Sequence, residues 1–141
     1  MKAVFVDAHY LIAIVKPNDH WKNAADSAKR ALGKCLMVTT DEVLTEFLNA
    51  LGKFGTVFRT KAAQTTRAML KNPNVRLIPQ THETFLRALE RYEKRGDKEY
   101  SLVDCAAMNA MDQEAIREVL TNDHHFEQEG YTILMKSEAA S

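Results

Sequence analysis

Short runs of β-branched and apolar residues alternate along the chain with stretches whose apolar positions recur every three or four residues. Ala3-Val4-Phe5-Val6 is an uninterrupted apolar run that stops at Asp7, the pattern of a short parallel strand covered on both faces. Leu11 to Val15 continues on a helical period until Pro17-Asn18-Asp19 breaks it. Asp19 is placed to cap a second helix over about residues 20–32, closed by Gly33. Cys35 to Val38 reads as a second strand. Thr39 with Glu42 matches a capping box that opens a helix to Leu51, stopped at Gly52. A further helix over about residues 57–70 ends before Asn72-Pro73, and Val75 to Ile78 is a third strand stopped by Pro79. Thr81 caps a helix through Tyr92, with Arg91, Lys94 and Arg95 near its carboxyl end, where cations suit the helix dipole. Ser101 with Asp104 opens the next helix, through about Met111. Glu118 to Leu120 and Tyr131 to Leu134 read as the fourth and fifth strands.

Strands alternating with helices predict an α/β fold, a three-layer sandwich whose central, mainly parallel five-stranded sheet is flanked by helices. The 141 residues fit one domain, expected over residues 1–135, with a polar tail over 136–141 that should fray. No apolar run approaches the ~20 residues of a membrane span, and no secretory signal is evident, so a cytoplasmic protein without membrane contact is expected. Cys35 and Cys105 are too few and too far apart for a disulfide framework or a zinc site, and read as small buried hydrophobes. Charge narrows the choice further. With 19 basic and 19 acidic residues, the chain is unlike proteins that coat long nucleic acids. If it handles RNA, it should grip a short segment, with metal ions supplying part of the positive charge.

Functional residues of an open parallel sheet gather beyond the carboxyl ends of its strands. Asp7 follows the first strand and Asp123 follows the fourth, in Val119-Leu120-Thr121-Asn122-Asp123. Glu46 lies on the helix after the second strand, and Asp104 in the first turn of its own helix. All four could face one cleft. Clustered carboxylates raise one another's pKa unless a cation intervenes, and Mg²⁺ or Mn²⁺ prefers such oxygen ligands. The expected arrangement has Asp7 and Asp104 as direct ligands, with Glu46 and Asp123 binding directly or through water. A metal ion there would ease the ionisation of water and stabilise charge on a phosphodiester. Each acid also has a plainer reading: Asp7 as a helix cap, Glu46 as an exposed helix acid, Asp104 as half of a capping box, Asp123 as a turn residue.

Taken together, Val4 to Asp7, Thr40 to Glu46, Asp97 to Asp104 and Val119 to Phe126 resemble the PIN-domain family, and within it the VapC-type toxin branch. The resemblance implies four acids that bind Mg²⁺ or Mn²⁺ and carry out endonucleolytic cleavage of RNA. It also implies a small antitoxin partner and a homodimer. Ala8 stands where that family often has Thr or Ser, and Tyr100 where it often has Trp. Asp97 matches a frequent acid of the same segment and is read as a loop residue.

Ser101, Thr121 and His125 are the candidates for contacts behind the acids or to substrate. His125 reads as substrate-facing or packing, and His9 as lining the pocket rim. Arg59, Lys61, Arg67 and Lys71, with Arg87, Arg91, Lys94, Arg95 and Lys98, are candidates to steer RNA or simply solvated helix faces. Phe54, Val57, Phe58 and Met69 could pack in the core or cover a dimer or antitoxin groove. A phosphatase or receiver domain would also place an acid after the first strand, but the phosphatase's second Asp is His9 here and the receiver's paired acids near the amino terminus are missing. An RNA-processing nuclease without a toxin role, and a catalytically silent RNA-binding module, are the remaining alternatives.

Overall fold

The computed structural model describes residues 1–136. Beyond Lys136, the expected frayed tail lies outside the described residues. Five strands form one sheet: β1 (Ala3–Val6), β2 (Leu36–Thr40), β3 (Val75–Ile78), β4 (Glu118–Leu120) and β5 (Thr132–Ile133). Their order is β3-β2-β1-β4-β5 and every pairing is parallel. Val4, Phe5 and Val6 are all fully buried, so both faces of the central strand are covered, as its unbroken apolar run requires. Around the sheet lie α1 (Ala8–Val15), α2 (Lys22–Leu32), α3 (Asp41–Gly52), α4 (Thr56–Lys71), α5 (His82–Lys94), α6 (Leu102–Gln113) and the short α7 (His124–Gln128). Phe5, Phe47, Phe126, Leu11, Met108 and Met111 are the large side chains at the centre of the core.

The chain builds β1, β2 and β3 outward on one side, then returns to place β4 on the other side of β1. The order therefore reverses between β1 and β4. In parallel α/β sheets a crevice opens at that point, outside the carboxyl ends of the strands.

Three local readings change. Thr39 does not open α3; it is the penultimate residue of β2, and its hydroxyl donates to the Val6 carbonyl at 2.8 Å. The cap is Thr40, whose side chain accepts from the Val43 amide at 3.2 Å. With valine three residues on, the box with Glu42 cannot form. Asp19 holds the Trp21 amide at 2.8 Å, but α2 starts after Trp21, so Asp19 shapes the approach rather than capping the helix. Asp123, read in its plainer sense as a turn residue, is the N-cap of the five-residue α7, a helix the sequence reading did not assign. Capping boxes do stand at Thr81–Thr84 and Ser101–Asp104.

Candidate active site

Asp7 sits at the N-cap position of α1 with extended backbone, yet its side chain caps nothing. It is 1% exposed, and its Oδ2 accepts from the Thr121 hydroxyl at 2.7 Å. His9 Nδ1 lies 2.8 Å from the same oxygen. The plain capping reading of Asp7 is thus excluded. Thr121, fully buried just past β4, also accepts from the Asp123 amide at 3.1 Å. One hydroxyl thereby ties the ends of β1 and β4 together across the switch point. Ala8, fully buried, offers no hydroxyl, but Asp7 still receives one from across the sheet.

Asp104 and Asp123 each take part in capping a helix and each also approach His125. Asp104 completes the box that opens α6, its Oδ2 accepting from the Ser101 amide at 3.1 Å while Ser101 Oγ accepts from the Asp104 amide at 3.0 Å. The same Oδ2 lies 3.0 Å from His125 Nδ1. Asp123 caps α7 through the His125 amide at 2.9 Å, and its Oδ1 is 3.5 Å from His125 Nδ1. Glu46 comes in half-buried from α3. Two groups result. Ligand atoms of Asp7, His9 and Glu46 lie within 4.8 Å of one another, as do those of Asp104, Asp123 and His125.

The electrostatics join the two groups. Glu46 is pushed up to about 7, first by burial and then by the charge of Asp7, with Asp104 and Asp123 adding to the rise. Burial raises Asp104 as well, against the pull of His125 and the Ser101 amide. The hydrogen bond with Asp7 lifts His9 to about 9 in spite of burial. Among the described residues no Lys or Arg forms an ion pair with any of the four acids. Four carboxylates against two imidazoles is a strongly anionic site of oxygen donors, and a hard divalent cation fits it.

The shifts of Glu46 and His9 have the same consequence for stability. Glu46 titrates at 4.5 when unfolded and about 7 in the fold, so its ionisation opposes folding progressively as pH rises through that window. His9 moves from 6.5 to about 9; its stabilisation is complete below the lower value and lost as pH rises through the upper. Metal-free protein in EDTA is expected to melt lower at about pH 9 than at about pH 5.5, with a shallower decline in Glu46→Gln. Calorimetry across that range checks this, and a flat or rising melting temperature would contradict it.

Elsewhere the structure separates residues the sequence left grouped. His124 turns away to pair with Glu127 on its own helix, while His125 faces the acids and packs edge-on against Tyr100 at 5.3 Å. Asp97 lies in an exposed turn and belongs to neither group. Of the basic candidates, Arg87, Arg91, Lys94 and Arg95 are each held by acidic partners, Glu83, Asp112 with Glu129, Glu90, and Glu129. Arg91 and Arg95 converge on the enclosed Glu129, whereas the Arg87–Glu83 and Lys94–Glu90 pairs are solvent-exposed. Arg59, Lys61, Arg67, Lys71 and Lys98 form no ion pair among the described residues. Met69 is core, Phe58 is half-buried, and Phe54 and Val57 are exposed. The direct contact of His9 with Asp7 was not anticipated; its signal was a histidine two residues after a strand-terminal acid, in the first turn of a helix.

Several solved structures share this architecture. VapC20 of Mycobacterium tuberculosis, described as a sarcin-ricin loop cleaving toxin, superposes with a TM-score of 0.81 at 23% identity, covering 92% of this chain and 96% of that one. FitAcB from Neisseria gonorrhoeae gives 0.63 at 12% identity over 93% and 96%. FitAB bound to a DNA fragment gives 0.67 at 14% identity over 92% of each chain. At such identities the likeness is one of fold. No curated protein matches significantly by sequence. The PIN-domain family model, by contrast, matches residues 4–129, a span that holds the whole sheet but for its last strand and all four acids, and the chain accordingly belongs to the PIN-domain family.

Proposed function

We propose that the protein is a metal-dependent endoribonuclease, the toxin of a toxin–antitoxin pair. The observation that carries this reading is Asp7: buried at the switch point, released from capping, grouped with Glu46, which also feels the charges of Asp104 and Asp123, with no Lys or Arg paired to any of the four among the described residues. Asp7 and Asp104 would hold Mg²⁺ or Mn²⁺ directly, with Glu46 and Asp123 completing the set. The ion supplies Lewis acidity toward the phosphodiester and the attacking water. Glu46, half-buried on α3 with its carboxylate beside that of Asp7 and the His9 ring, would be placed to take a proton from that water. Thr121 fixes the Asp7 carboxylate, and Ser101 fixes that of Asp104, so the acids meet the substrate already oriented. His125, with Nδ1 3.0 Å from Asp104 and 3.5 Å from Asp123, would hold these two carboxylates toward each other.

Support for the biological role comes from the solved structures of like fold, which include a sarcin-ricin loop cleaving toxin and a FitAB complex on DNA. A small antitoxin and a second copy of the chain would be the protein partners. Exposed apolar side chains suit such partners: Leu86, Leu89 and Tyr92 along α5, and Phe54 and Val57 at the turn between α3 and α4. The domain is proposed to span residues 1–135 and to work in the cytoplasm; among the described residues no helix is long and apolar enough to cross a membrane.

Purified protein is expected to cut a mixed RNA substrate with Mn²⁺ or Mg²⁺ and not in EDTA. Binding should also register without catalysis. At a metal concentration of 100 times the dissociation constant, the gain is about 2.7 kcal/mol, roughly 5–10 °C in melting temperature. No cutting of several RNAs by folded, antitoxin-free protein would favour a silent RNA-binding module instead.

A further inference from the structure

Beside the acids, a cleft of about 500 Å³ opens between α3, α5 and α6, a size typical of small-ligand sites. Its walls are largely apolar, with Phe85 and Ala88 from α5 facing Leu102 and Val103 from the first turn of α6. The α3 side is polar, and Glu46, Asn49 and Lys53 follow one another down a single helix face. At 1.5 Å per residue, Lys53 lies about 10 Å along the helix from Glu46. Glu46 belongs both to this cleft and to the acidic site, and Val103 directly precedes Asp104. Lys53 is exposed and forms no ion pair among the described residues. The larger cleft of about 620 Å³ carries Arg87, Arg91, Lys94 and Arg95, but none of the four site acids lines it.

We infer that the smaller cleft is a nucleobase slot, which takes one unstacked base of single-stranded RNA next to the cleaved phosphate. This deepens the nuclease reading above and rests on it. Single-stranded RNA is recognised by splaying bases out, stacking them on aromatic or apolar walls and hydrogen-bonding their edges. Phe85, aligned at 16° to the His82 ring, offers an aromatic wall. Asn49 can both donate to and accept from a base edge, and Lys53 is free for a flanking phosphate. The balanced charge of the whole chain, 19 basic against 19 acidic residues, leaves little purely electrostatic grip. Affinity and sequence preference must then come from the bases, and this slot adjoins the reacting acids.

The test uses the full chain and random single-stranded RNA carrying 5-iodouridine or 5-iodocytidine, irradiated in EDTA so that cleavage is silent. Cross-links are expected at Phe85 or its neighbours in the cleft, and their loss in Ala50→Leu, which narrows it. With Mn²⁺, Ala50→Leu should raise KM roughly tenfold, the loss expected when one stacked base is displaced. Asn49→Ala, at an exposed position, should flatten the base preference beside the cut. Circular dichroism verifies that both variants fold. Cross-links only outside the cleft, or none above the unmodified-RNA control, together with unchanged base preference, would overturn the slot and favour a protein segment as its occupant. Cross-links in the cleft without cleavage by any form would keep the slot and sink the nuclease reading.

Discussion

An Asp7→Asn protein is expected to lose at least about a hundredfold of its metal-dependent RNA cleavage while remaining folded, because several kcal/mol of transition-state stabilisation pass through the ion it would hold. Asp7 is the cleanest acid on which to test this. Asn is nearly isosteric and can still accept the 2.7 Å hydrogen bond from Thr121. No helix depends on the Asp7 side chain as a cap. Replacing Asp104 or Asp123 would also disturb the caps of α6 and α7, so a lost activity there would have two explanations. In Asp7→Asn the His9 partner becomes neutral, which weakens that contact but also relieves Glu46 of a nearby negative charge. Single-turnover cleavage, a metal titration and a thermal melt together decide the matter. Cleavage within about tenfold of wild type, from a variant that binds Mn²⁺ equally well, would remove Asp7 from the metal site.

The second large effect lies behind the site. Glu129→Ala is expected to destabilise the protein by about 3 kcal/mol, toward the lower end for broken buried ion pairs because part of the network meets solvent. For a chain of this size that is roughly 10 °C of melting temperature. Glu129 accepts from Arg91 Nη2 at 3.1 Å, from Arg95 Nε at 3.1 Å and from the Tyr100 hydroxyl at 3.0 Å. Burial alone would raise its carboxyl, but the bonds from Tyr100 and Arg95 outweigh that and hold it low. Its side chain is only 10% exposed, and that of Arg91 17%. Removing the acid strands the Arg91 guanidinium, whose Nε is already buried without a partner. Arg91 would keep Asp112 and Asn109, each at 3.1 Å, which limits the loss. The exposed pair Arg87–Glu83 provides the contrast: Arg87→Ala should cost less than about 1 kcal/mol. Equal losses in the two variants by urea denaturation would contradict this account.

That network explains a position the sequence marked without a role. Tyr100 holds Glu129 with its hydroxyl and packs its ring edge-on against His125 at 5.3 Å. It thus links the ion pairs at the end of α7 to the histidine beside Asp104 and Asp123. Arg91 and Arg95, read as cations at a helix end or as RNA-steering charges, are bolts between α5 and the end of α7. Their partners lie 34 and 38 residues away in the chain, and no local pattern encodes pairings at that range.

What was legible in the sequence is what depends on neighbours in the chain. Burial of β1 on both faces is written in four consecutive apolar residues. The cap at Thr81 is a residue type at a helix start, and the box at Ser101 is a three-residue spacing to Asp104. The strand-end positions of Asp7 and Asp123 follow from where the apolar runs stop, because side chains there must leave the sheet. Even locally the reading had limits: Thr39 and Thr40 are equivalent in a pattern, and only the Val6 carbonyl across the sheet assigns the strand to one and the cap to the other. The tertiary structure alone decided the strand order, and with it the switch point that sets Asp7 114 residues from, yet hydrogen-bonded to, Thr121. It also decided that His9 faces Asp7, that His125 rather than His124 faces the acids, and that a slot opens beside Glu46. Sequence periodicity tells a side chain which face of its own element it occupies; which other element that face meets depends on how the whole chain closes around one core.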